Sequence, residues 1–167
     1  MTDRSTSGVG PSPEDLAALE RHATALADGI EAALGPWVER CVRSRVEGAG
    51  GVFTGELRDR SAEAGRAAVD RIAPLVRELL ALDIDAQPTG PLAIVRGAVV
   101  HPTGVLRAAG VPPVDRDDSA RAMFPDDDYD LTPASFAELD PALTEAGITW
   151  GAAKAHVHLA RRRALGR

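Results

Sequence analysis

The stretch from Ser12 to Val46, SPEDLAALERHATALADGIEAALGPWVERCVRSRV, decides the fold class of this chain. Its apolar residues Leu16, Leu19, Ala23, Leu26, Ile30, Ala33 and Trp37 recur at steps of three and four, which aligns them along one side of an α-helix. The start is equally readable. Ser12 offers a hydroxyl to the free amides of a first turn, Pro13 suits the first helical position, and Asp15 follows three residues after the cap. Gly35-Pro36 interrupts the stripe and predicts a kink or short break, with the helix resuming through Trp37, Cys41 and Val42 to about Val46.

Working outward, Glu47 to Gly55 contains Gly48, Gly50, Gly51 and Gly55 and reads as a reversal. It is no phosphate loop, since the Gly-Lys-Ser/Thr ending and a preceding buried strand are both missing. A second helix is predicted from about Glu56 to Leu82, capped by Thr54, bent at Pro74 and striped by Ala68, Ile72, Leu75, Leu79 and Leu82. Two such stripes must bury each other. The economical solution is a long antiparallel helical hairpin, with Ala23, Ala33, Gly65 and Ala68 permitting close backbone approach.

The second half is less regular. Asp85 to Pro91 reads as a linker. Leu92 to Val100 admits two readings: short helices broken at His101-Pro102, which we favour, or a β-hairpin over residues 92–100, which would make the chain α+β. Three capped pieces follow: Ser119 to Phe124 behind Asp117 or Asp118, a turn opened by Thr132-Pro133 running to Leu139, and another opened by Asp140-Pro141. A last helix is predicted from about Thr149 to Arg163, with Trp150, Ala153, Val157 and Ala160 on its packed face. Phe53, Phe124, Tyr129, Phe136 and Trp150 are the aromatics expected to dock this half on the hairpin. The expectation is therefore an all-α chain: a disordered tail at 1–11, one helical domain at 12–163 and a basic end at 164–167.

Composition narrows the function classes. A length of 167 residues suits a single domain with a sizeable core. The lone Cys41 excludes an intrachain disulfide, and with no secretory pattern the expected compartment is the cytoplasm. No apolar run is long enough to span a bilayer, so no membrane role is expected. A net charge of −6 argues against indiscriminate phosphate binding. Eighteen of the nineteen basic residues are arginine, the coding bias of a high-GC bacterium.

Charge is segregated along the chain. Asp115 to Glu145 holds ten acids against Arg116 and Arg121, whereas Ala146 to Arg167 holds Lys154 and four arginines with no acid. These two regions either pair within the molecule or face a partner. The acidic run Asp126, Asp127, Asp128 and Asp130 fails the calcium-loop template, because Leu131 stands where Gly is needed and Ala137 where a bidentate Glu belongs. It reads as a solvated loop flanked by Phe124 and Tyr129. His156 and His158 point about 160° apart on a helix, so they cannot share a metal ion. His101 could serve as a general base if a carboxylate reached it, but no catalytic motif accompanies it. Cys41 reads as a buried structural thiol.

No catalytic residue, metal site or cofactor is expected from these patterns. The reading is a non-enzymatic helical interaction or regulatory protein whose partner is not identifiable. Lys154, Arg161, Arg162 and Arg163 form one candidate binding surface, and Asp126, Asp127, Asp128 and Asp130 the other. Self-association through the helices is a further expectation. The alternatives are a nucleic-acid or ribosome-associated factor using the basic end with Arg167, and a small enzyme built on His101 and the acidic loop.

Overall fold

The computed structural model describes residues 9–82 and 90–166, and among them every regular element is helical, with no strand. The expected tail and linker fall partly outside the described residues, at 1–8 and 83–89, as does Arg167. The order is α1 (Pro13–Gly48), α2 (Gly55–Ala81), α3 (Pro91–Arg96), a 3-10 turn (Gly97–Val99), α4 (Val100–Ala108), α5 (Asp118–Met123), α6 (Phe136–Leu139) and α7 (Leu143–Ala164).

Helix α1 begins as its sequence dictates. The Ser12 hydroxyl accepts from the Asp15 amide at 3.0 Å, while the Asp15 carboxylate accepts from the Ser12 amide at 2.9 Å, so two otherwise orphaned donors are satisfied reciprocally. Of the kink or short break predicted at Gly35-Pro36, the break is corrected. α1 runs unbroken through both residues for 36 positions. Proline in a helix interior forfeits one backbone bond and costs about 3 kcal/mol. Buried Ile30, Ala33, Leu34, Trp37 and Val38 surround that point, and covering this much apolar surface exceeds the loss. Gly35 has a different role from the one its sequence context suggests. A Cβ built on Gly65 of α2 would stand 3.0 Å from the Gly35 Cα and 3.4 Å from its carbonyl oxygen. The two helices therefore come into close contact at this pair, where position 65 has no room for a side chain, whereas a Cβ on Gly35 would meet nothing within 4 Å.

Helix α2 pairs with α1 as the predicted hairpin, capped by Thr54. Its buried line is Ser61, Gly65, Ala68, Ile72 and Val76, and this differs from the expected stripe beyond Ile72. Each step of four residues carries the line about 40° around the helix. Val76 consequently faces α1, while Leu75 and Leu82 remain 46% and 47% exposed.

The region from 91 to 108 is helical, which removes the β-hairpin alternative. The predicted break also moves: the chain tightens at Gly97–Val99, and His101-Pro102 lies in the first turn of α4, where a missing proline N–H goes unneeded. Asp117 caps α5 by accepting from the Ala120 amide at 2.7 Å. Helix α7 starts at Leu143, earlier than the expected Thr149. The Asp140 carboxylate accepts from the Ala142 amide at 2.9 Å just before it. Gly147 then lies against the Phe136 ring, where a Cβ would stand 2.9 Å from the ring carbon Cδ2. Close packing there offsets the poor helix propensity of glycine.

The buried apolar residues form two clusters strung along α1. Leu26, Ile30, Leu34 and Trp37 meet Ala68, Ile72 and Val76 of α2, Val95 and Ala98, and Leu139 and Leu143 from the end of the chain. Further along, Val42 and Val46 meet Val105, Leu106 and Tyr129, with Phe53 and Leu57 packed beside them. The expected docking aromatics are thus largely in contact: Tyr129 is buried and its hydroxyl donates to the Val111 carbonyl at 2.6 Å.

The Gly35–Gly65 contact makes a paired prediction. Gly65→Val should lower the melting temperature, at a cost of about 1 to 3 kcal/mol from forced separation of α1 and α2. Gly104→Ala, placed in α4 where nothing lies within 4 Å of the new Cβ, should stabilise by about 0.5 to 1 kcal/mol. Thermal denaturation followed by circular dichroism reads both.

Candidate functional site

Beyond Ala23 on α1 and Val76 on α2 no residue is fully buried on either helix. The first turns of α1, the last turns of α2 and part of α7 line one depression there. The result is an open cleft of about 530 Å³. Leu16 and Leu19 come from α1, Leu79, Leu80 and Leu82 from α2, and Trp150 from α7. Leu16 is 41% exposed, so this lining is wet apolar surface of the kind that marks binding grooves.

The rim is charged. Lys154 lies one turn after Trp150 and holds its ammonium 5.1 Å from the indole centroid, within cation–π range. Arg161 lies two turns further along α7 on the same margin, with Glu20 and Arg77 also on the rim. Arg77 is engaged already, donating to Asp28 at 2.7 Å and to Glu31. His156 ties α7 to the start of α1, with Nε2 3.3 Å from the Asp15 carboxylate. That carboxyl is held below its ordinary value, chiefly by the amide and hydroxyl of Ser12 and to a lesser degree by His156.

The predicted surfaces separate. Lys154 and Arg161 belong to the cleft, while Arg162 and Arg163 are exposed on the adjoining turn. The acidic loop sits at the other end of α1, where Arg45 donates to the Asp130 carbonyl at 3.3 Å. Asp15 and Arg45 are thirty positions apart on one helix, or about 45 Å at 1.5 Å per residue. The acidic loop at 126–130 and the Arg161–Arg163 turn therefore lie at opposite ends of α1. Arg107 takes Asp128, with its Nε 2.8 Å from the carboxylate.

Asp127 departs from the expected solvated surface and is corrected. It is 1% exposed. Its carboxylate accepts from the amides of Leu131 and Thr132 at 2.8 Å and from the Thr132 hydroxyl at 2.7 Å. Those bonds fold the loop back on itself and close the turn that carries Asp130 at φ 55°, leaving Asp126 and Asp130 as the exposed acids of the run. Asp127 is thus a buried loop clamp.

The remaining candidates stand apart from the cleft. The Nε2 of His101 is buried with no hydrogen-bond partner, and burial followed by the nearby Arg71 charge lowers its pKa. No carboxylate bonds to it, so the base–carboxylate pair that catalysis would need is not assembled among the described residues. Cys41 is half-buried and burial pushes its thiol up to about 12, which leaves it protonated and unreactive at neutral pH. No three metal-ligating side chains converge among the described residues.

Leu16, Leu19, Leu79 and Leu82 were assigned from sequence to the packed stripes, whose spacing they fit, and Leu80 was not assigned. The signal was present nonetheless. Leu79, Leu80 and Leu82 spread over about 160° of helix, wider than the stripe of Leu75, Leu79 and Leu82 alone. No protein-family model matches this chain, and neither a curated protein nor a solved structure matches it significantly.

Two predictions follow from the buried polar groups. Asp127→Ala should cost about 2 to 3 kcal/mol, since three donors lose a charged acceptor, and should increase proteolysis between Phe124 and Thr132. For His101, the folded state favours the neutral ring. Stability is therefore intact above the ordinary value of 6.5 and is lost as pH falls from there through the lower folded value. His101→Leu should flatten that part of the stability profile, measured as urea midpoint against pH.

Proposed function

We propose that this chain is a non-enzymatic helical interaction protein, and that the cleft between α1, α2 and α7 receives an acidic amphipathic helix of a partner protein. The observation that carries this reading is the coincidence of wet leucines, a half-buried tryptophan and a cationic margin in one groove. An amphipathic helix presents apolar anchors at three- and four-residue spacing, which suits a leucine-lined groove. Carboxylates on its flank would meet Lys154 and Arg161, and Trp150 is the residue type most enriched at binding hot spots.

Selection of displayed random peptides against the intact chain tests the reading. Peptides with helical apolar spacing and acidic flanks should be enriched. Their binding should fall at least tenfold with Lys154→Glu and also with Leu79→Glu, and should weaken as salt rises. Enrichment of basic or charge-indifferent peptides, or binding unmoved by both substitutions, would overturn it. Retention of an RNA oligonucleotide in place of peptides would favour the nucleic-acid alternative.

A further inference from the structure

Helix α7 is apolar on two opposite sides. Trp150 and Val157 pack inward. On the outer side Ile148 and Leu159 are 67% and 50% exposed, and between them Ala152 and Ala155 are exposed too. These four residues follow one another at steps of four, three and four, so they fall within an arc of about 60° that runs three turns along the helix. That is the spacing of a helix–helix seam. It has large residues at its ends and alanines in the middle, where two helix axes must come closest.

We infer that this outer face of α7 is a self-association surface, on which a second copy of the chain docks its own α7 antiparallel about a two-fold axis between Ala153 and Lys154. Charge selects the occupant and its direction. Exposed Glu145 lies one turn before Ile148, and exposed Arg162 one turn after Leu159. In the antiparallel pair Ile148 meets the partner's Leu159, Ala152 meets the partner's Ala155, and Glu145 meets the partner's Arg162, all in duplicate. A parallel pair would oppose Glu145 to itself and Arg162 to itself, which is repulsive at both ends. The same patch serves both copies, as an isologous interface requires. One helix pair of this length covers less than the roughly 800 Å² per partner of a standard stable interface, so the dimer forms with rising concentration. The cleft is on the inner side of α7, and the dimer does not depend on what the cleft binds.

Sedimentation equilibrium of the full chain, from micromolar to millimolar, reads the proposal directly. The mass should rise with concentration from 17.5 kDa toward twice that value. Ala152→Glu should weaken the dimer at least tenfold while leaving the circular dichroism and the melting of dilute monomer unchanged. Glu145→Arg alone should weaken it, and Glu145→Arg combined with Arg162→Glu should restore it, since the swapped charges still meet across an antiparallel pair. A chain that stays monomeric throughout, or a dimer indifferent to Ala152→Glu, would overturn the interface. Failure of the double exchange to restore association would overturn the antiparallel arrangement.

Discussion

The backbone contact between Gly35 and Gly65 is the constraint on which the rest of the molecule depends. Because no side chain separates α1 from α2 there, the flanking residues Trp37, Val38, Ala68 and Ile72 are drawn into one cluster. α3 and α4 close one side of that pair, and α6 and α7 close the other. The cleft lies about three turns from those glycines, beyond Ala23 of α1 and Val76 of α2, where the buried stripes end.

Much of the architecture was legible in the residues. Three-and-four spacing, Ser12 with Asp15, and Thr54 and Asp117 as caps are local signals, and local signals resolve locally. Gly35-Pro36 shows the limit. The pair weakens an isolated helix, and only the packing of neighbouring Leu34, Trp37 and Val38 against other elements reveals why it is tolerated. The same limit applies to Leu75, Leu79 and Leu82, whose spacing is helical but whose burial depends on where α1 ends its contact. Asp127 was hidden for a related reason: four aspartates in five positions look alike until one is seen to accept three donors within its own loop.

The charge segregation of the sequence acquires a physical meaning from α1. This helix starts with Glu14, Asp15 and Glu20 and ends with Arg40, Arg43 and Arg45. The arginine-rich end of α7 docks beside the acidic start, through His156 and Asp15. The acidic loop docks beside the basic finish, through Arg45 and Arg107. Such exposed pairs contribute little stability individually. Their arrangement nevertheless opposes docking of either segment at the other's end, where like charges would meet.

The continuity of α1 has a consequence for how the structure can come apart. Both apolar clusters hang on the same 36-residue rod, and the rod's missing mid-helix backbone donor, at exposed Pro36, stands beside buried Leu34, Trp37 and Val38 of the larger cluster. The hydrogen-bond ladder is therefore weakest on the solvent side of a stretch whose opposite side is packed in the core. A helix built this way has no convenient place to fray in its middle, so the two clusters melt as one cooperative unit and not as separate halves.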